Sequence, residues 1–426
     1  MRPCFILLAF AVHGIGCHSQ PETTERARVA CLMPASERPF WEPIARAFEK
    51  SRTGARVVLV EGPNSTDLRE NLYTAALLAG DDTFDLVYAD VTWTSKFASV
   101  GWLRPLDDAF DPAERAAFFE AAIEAGMYRG RLYRVPLRID LGLLYYRKDL
   151  LDRTGRQPPK TFGELIEAAR DAQSPPGIWG YVWQGGQYEG LVCVFLEVLA
   201  GHGGFWIDPE TLEVGLDRPE AFAALDFLRS CRQGDPPVSP PGITTYKEEE
   251  SRHLFQEGRA VFMRNWIYAW RLAQRGGSRV AGRIGVRPMV HALGESGAAT
   301  LGGWGLAVSS FSRHPELAVK FVRHAASLRS QRALCGPTGY APARRDAYSD
   351  PELLAANPFL AELVTLDLRL EARPAIPQYA LASDILQRRL NAALAGLMSS
   401  AEALTVAARE TRDLLGRKTR RTRLSR

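Results

Sequence analysis

The sequence predicts an α/β fold in two lobes, each a helix-flanked and mostly parallel sheet. Two observations carry this. The chain has 426 residues, more than one hydrophobic core usually serves, so two units of ordinary domain size are expected. Short apolar runs of strand character also alternate with stretches in which apolar residues recur at helical spacing, the pattern of a sheet covered by helices.

In chain order, Arg28 to Leu32 and Arg56 to Val60 read as short buried strands. Between them Trp41, Ile44, Ala45 and Phe48 fall on one face of a helix. A second helix is expected over Asp67 to Ala79, with Leu68, Leu72, Ala75, Ala76 and Ala79 as its apolar face. Asp85 to Tyr88 follows as a third strand. The run Val135 to Asp140 reads as a first crossing between lobes, and Arg147-Lys148-Asp149 opens a helix. Thr161 with Glu164 three residues on is a capping box for a helix carrying Leu165, Ile166 and Ala169. Proline and glycine at Pro158-Pro159, Ser174 to Gly177 and Asp235 to Gly242 mark loops. Leu301 to Ser309 is a strand whose glycines, Gly302 and Gly303, leave backbone open to close approach. Pro315 to Arg323 is again helical through Leu317, Phe321 and Val322.

Composition narrows the function classes. The apolar share of 46% is ordinary for a globular protein, and a net charge of +4 is too small to call for a nucleic-acid partner. Arg2, the apolar run Phe5 to Val12, and small Gly14 and Gly16 before Cys17 are laid out as a secretory signal. That run is too short to cross a bilayer, which needs about 20 residues of helix. Gly16-Cys17 resembles a bacterial lipobox, although Gly14 stands where that motif usually has leucine. It implies that Cys17 is lipidated and anchors the mature protein to a membrane. Cys31, Cys193, Cys231 and Cys335 remain after processing. They either pair, in one of three connectivities, or pack as buried thiols. The last ten residues, Arg417 to Arg426, form a basic tail, read as a solvated end or a contact with anionic lipid.

The motifs of several chemistries are missing. There is no Walker-type phosphate cradle, dinucleotide glycine fingerprint or G-x-S-x-G elbow, and the histidines show no metal-ligand spacing. No cofactor and no metal are expected.

Six stretches, in order along the chain, carry a resemblance. They are Asp85-Leu86-Val87-Tyr88-Ala89-Asp90-Val91-Thr92-Trp93, Asp140 to Leu151, Trp183-Gln184-Gly185-Gly186-Gln187-Tyr188-Glu189-Gly190-Leu191, Phe262-Met263-Arg264-Asn265-Trp266, Gly302-Gly303-Trp304 and Arg373-Pro374-Ala375-Ile376-Pro377-Gln378-Tyr379. Together they resemble the bacterial extracellular solute-binding proteins of the maltose and trehalose type. The resemblance implies a type II periplasmic-binding-protein fold with ligand in the cleft between two lobes. It implies a lipoprotein signal at 1–17, a first lobe of 28–132 and 302–338, and a second of 141–283 and 342–416. The crossings would be 133–140, 284–301 and 339–341, and the basic tail 417–426.

It also implies a receptor, not an enzyme, that takes a small carbohydrate such as trehalose or maltose to the permease subunits of an ABC importer, and that acts as a monomer without nucleic acid. Sugar hydroxyls donate and accept, so carboxylates and arginines suit them, and indoles cover the apolar ring faces. The expected ligand set is therefore Glu37, Asp90, Asp140, Glu189, Trp266, Tyr268, Gly303, Trp304 and Arg373. Each has a plainer alternative. The aspartates could cap helices or pair with arginines, the tryptophans could be core, and Arg373 could lie on the surface. A glycoside hydrolase, which also combines carboxylates with aromatic platforms, and a sugar sensor without a permease are the competing functions.

Overall fold

The computed structural model describes residues 27–424, and side chains over 27–416. The signal, Cys17 and the side chains of the basic tail lie outside the described residues.

Ala27–Pro34 and Ala55–Gly62 pair in parallel, and Leu86–Asp90 joins the other side of the first strand, also in parallel. Parallel neighbours need a crossover, and the helix Arg38–Ser51 supplies the first one. It buries Trp41, Ile44, Ala45 and Phe48, the face expected from the spacing. The second helix, Thr66–Leu78, is where it was expected but turned the other way. Leu68 and Leu72 are exposed, and Arg69, Tyr73 and Leu77 are buried. Hydrogen bonding explains the rotation. The Tyr73 hydroxyl donates to the Leu32 carbonyl at 2.6 Å and accepts from the Tyr88 amide at 3.1 Å, and Arg69 Nη1 donates to the carbonyls of Pro63 and Asn64. Tyr73 thus serves buried strand backbone and Arg69 the part-buried turn before the helix, which leucines could not do.

One strand organises the rest. Arg134–Arg147 is almost wholly buried along its 14 residues. Its first half pairs with the return strand Ala298–Val308, which also pairs antiparallel with Leu86–Asp90. Its second half pairs with Ala260–Trp266 on one side and Ile284–Arg287 on the other, and Trp179–Val182 lies parallel beyond Ala260–Trp266. Two sheet regions therefore share one continuous strand, and the change of partner falls near Asp140, in the stretch expected to cross. The return strand crosses beside it, with Gly302 opposite Asp140 and Gly303 opposite Ile139. Gly303 has φ +151°, and a Cβ there would come within 2.6 Å of the Arg138 carbonyl, so the close approach of the two crossings requires glycine.

Local signals read from the sequence are present. Thr161 caps Phe162–Ala172, with Glu164 reaching back to the Thr161 amide at 3.1 Å. Pro315–Ala325 buries Phe321 and Val322. All four described cysteines are buried and free, the thiol alternative. The C-terminal helices Tyr379–Leu394 and Ser400–Leu424 pack on the second region, where Arg232 donates to the Leu394 carbonyl and Asn391 to the Gly185 carbonyl. Residues 342–350, which the expected boundary gives to the second lobe, bond instead to the first. The Phe119 amide donates to the Ala343 carbonyl, the Arg345 amide to the Ala117 carbonyl, and Arg332 pairs with Asp350. Among the described residues no helix is long and apolar enough to cross a membrane.

Candidate functional site

Strand ends and helix starts meet along the line where the two regions face each other, and two charged clusters form there. In the first, Arg138 sits on the crossing strand two residues from Asp140, so both side chains leave the same face of the strand. Arg138 Nη1 donates to Asp140 Oδ2, and Nη2 donates to Glu37 Oε1 at 3.1 Å. Glu37, just past the first strand, also accepts the hydroxyls of Tyr88 at 2.9 Å and Tyr340 at 3.2 Å. The Arg138 guanidinium lies 3.8 Å from the Tyr340 ring centroid, a stacked cation–π contact. All three charged groups are buried, and Asp140 Oδ1 has no protein partner. Burial pushes Asp140 up to about 6, against the pull of Arg138 and with the repulsion of Glu37 and Asp90 added.

The second cluster joins the two regions directly. Arg373 Nη2 donates to Asp90 Oδ1 at 3.1 Å, at the end of Leu86–Asp90, and Nη1 donates to Glu189 Oε1 at 2.8 Å, at the start of the helix Glu189–Gly201. Glu189 further accepts the hydroxyl of Tyr379 and, at 2.6 Å, that of Ser383, while Asp90 Oδ1 takes the Thr92 amide and hydroxyl. Burial works against the Arg373 cation, but Asp90 and Glu189 are among the groups that overcome it and hold its proton well above the usual range.

Aromatic groups fill the space between. Trp266 ends its strand opposite Gly142, with its ring edge near Gly302 and its Nε1 donating to Glu248 Oε1 at 3.3 Å. Tyr268, on the next helix, donates to Glu249 Oε1 at 2.9 Å, and its ring meets Tyr340 edge-on at 6.5 Å. Trp304 pairs in register with both Asp90 and Arg138. Its ring is 8% exposed, tilted 4.9 Å from Tyr88, edge-on to Trp93 at 5.6 Å, and covered by Arg69 at 4.6 Å. That packing agrees with the core alternative for this indole.

All nine residues expected in the ligand set thus belong to one connected zone. The aspartates pair with arginines, as their plainer alternative held, and Arg373 is buried rather than on the surface. Sequence reasoning missed Arg138, Tyr340, Tyr88 and Arg69. Arg138 had a legible signal, its two-residue spacing from Asp140 in the crossing. Tyr340 had none, because it reaches Glu37 across 303 residues of chain. Among the described residues no group of His, Cys, Asp or Glu is placed to hold a metal ion.

Residues 34–332 match the model of the bacterial extracellular solute-binding protein family. A probable ABC transporter-binding protein of Deinococcus radiodurans is 36% identical over 330 residues, covering 76% of this chain and 77% of that one. A mannitol-binding protein of Pseudomonas aeruginosa is 27% identical over 397 residues, covering 86% and 88%. The maltose-bound MalE3 structure of T. maritima superimposes with a TM-score of 0.85 at 37% identity, covering 91% of this chain and 100% of that chain. The two-lobed periplasmic-binding-protein fold expected from the sequence is the fold observed. By fold, by the extent of the match and by identity to its relatives, the chain belongs to the bacterial extracellular solute-binding proteins.

Proposed function

We propose that this protein is the extracytoplasmic receptor of an ABC importer and that it binds a small carbohydrate between its lobes without changing it. The observation that carries the reading is Arg373, which touches a carboxylate from each lobe within a zone lined by aromatic rings. Carboxylates, guanidinium groups and flat rings together match a ligand whose hydroxyls point outward and whose ring faces are apolar. Ligand touching both lobes favours the closed state over the open one, which is how such a receptor would signal occupancy. The likeness to a maltose-bound structure at 37% identity favours a disaccharide of the maltose or trehalose kind over the polyol named for the more distant relative.

The ligand set within this reading is Glu37, Asp90, Asp140, Glu189, Trp266, Tyr268, Gly303, Trp304 and Arg373, with Arg138 added. Within this reading the lobes keep the boundaries given above, except that 342–350 are assigned to the first lobe on the bonds of Ala343 to Phe119 and Arg345 to Ala117. Cys17 would carry the lipid that holds a monomeric receptor at the membrane. Catalysis is disfavoured by how the carboxylates are used. A glycosidase needs a proton-bearing acid and a free base or nucleophile at one bond, whereas Arg373 pairs with both Asp90 and Glu189, and Arg138 with both Glu37 and Asp140.

A thermal-shift panel of maltose, trehalose, longer glucosides and mannitol tests the proposal, since a ligand bound only by the folded state raises the melting temperature by mass action. A selective rise with one sugar, and no release of monosaccharide on incubation, is expected. A flat panel, or steady monosaccharide release, would refute it.

A further inference from the structure

Against the Trp266 ring lies a charge pair that has no direct part in the proposed ligand set. Arg264 and Glu197 have no exposed surface. Arg264 Nε donates to Glu197 Oε2 at 2.8 Å and Nη2 to Oε1 at 2.5 Å, a two-pronged bond. Nη1 donates to Gln184 Oε1 at 3.1 Å, and Gln184 Nε2 donates back to the Arg264 carbonyl at 3.0 Å. Glu197 Oε1 also accepts the Thr300 amide of the return crossing at 3.2 Å. Every edge of the guanidinium is engaged, so its orientation is set, and one flat face lies 4.0 Å from the centroid of the Trp266 ring.

The chain makes room for this arrangement. A Cβ on Gly142, in the crossing strand, would collide with the Glu197 carboxylate and the Arg264 guanidinium. A buried ion pair adds little net stability, because the attraction must first repay the loss of hydration. What this pair does achieve is geometric. It holds the guanidinium carbon 4.0 Å over the ring of an indole whose Nε1 is tied to Glu248 and whose edge meets Gly302.

We propose that Arg264, fixed by Glu197 and Gln184, is a positioning residue for Trp266, keeping the opposite face of the indole presented as a rigid platform for the ligand's ring. A platform already held in place spares the side-chain ordering that binding would otherwise cost. The inference rests on Trp266 being a ligand platform, as in the function proposed above.

The test is a double-mutant cycle read by calorimetric titration with maltose. Arg264→Met should weaken binding about tenfold in the native background and less than about twofold when Trp266 is already alanine. Equal losses in both backgrounds, or no loss in the native one, would overturn the proposal. A second readout needs no ligand. In protein labelled with 5-fluorotryptophan, the fluorine resonance that disappears in Trp266→Phe should shift and broaden in Arg264→Met. An unchanged line would overturn the proposal even if affinity fell. Should the native protein bind no maltose, the fluorine line alone decides, so failure of the sugar reading stays distinct from failure of the positioning role. If Arg264→Met does not fold, Arg264→Lys leaves Glu197 its counter-charge but removes the flat face, and the same outcomes apply.

Discussion

Replacing Arg373 by methionine removes the cation that, among the described residues, touches both Asp90 and Glu189. Removing one partner of a buried ion pair typically costs about 3–5 kcal/mol, because the other charge stays buried and uncompensated. Here the orphaned carboxylates keep some support. Glu189 retains Tyr379 and Ser383, and Asp90 retains the Thr92 amide and hydroxyl. We therefore expect a loss of about 2–4 kcal/mol, which at about 1.2 °C per kcal/mol for a chain of this size is roughly 2–5 °C in melting temperature. Scanning calorimetry without ligand at neutral pH measures it. A melting temperature within about 1 °C of the native protein would mean that Arg373 is not the bridge the geometry describes.

Three further outcomes follow from particular residues. Trp304→Ala removes a ring packed on Tyr88, Trp93 and Arg69, so the ligand-free protein should lose about 3–5 kcal/mol, and an unchanged melting curve would return Trp304 to a purely ligand-facing role. Burial, with Glu189, Glu70 and Asp90 adding to it and Lys247 opposing, pushes Asp67 up to about 6. An acid raised in the fold stabilises it fully below its unfolded value and loses that contribution as pH rises through about 6. Asp67→Asn should therefore gain on the native protein between pH about 4.5 and 7.5, by about 1–2 kcal/mol once partial exposure is discounted; a constant difference between the two melting curves would contradict the assignment. Expressed in a bacterium that processes lipoproteins, the native protein should partition with membranes and Cys17→Ser should not, and equal partitioning would remove the anchor.

What could be read from the sequence followed local physics. The first three strands, the helix of Trp41 and Phe48 and the capping box at Thr161 all declare themselves within a dozen residues, through apolar spacing and cap chemistry. The helix Thr66–Leu78 was misread in its face because spacing weighs leucine above tyrosine and arginine, while in the fold Tyr73 bonds a buried strand carbonyl and Arg69 the turn before the helix. The lobe assignment of 342–350 depends on backbone pairing with Ala117 and Phe119, more than 200 residues earlier in the chain, which no local pattern announces. The proposed ligand set came only through family resemblance, since charged residues scattered from Glu37 to Arg373 have no common spacing. Arg264 lay inside one of the quoted motifs, yet its role depends on Glu197, 67 residues away.

The most direct test of the receptor reading is calorimetric titration of the full mature protein with maltose, trehalose and mannitol, with the solution assayed for monosaccharide afterwards. Saturable binding of one molecule of a disaccharide per chain is expected, tighter than any binding of mannitol, with the sugar recovered intact. Absence of heat with every carbohydrate, or conversion of the disaccharide to monosaccharide, would contradict it.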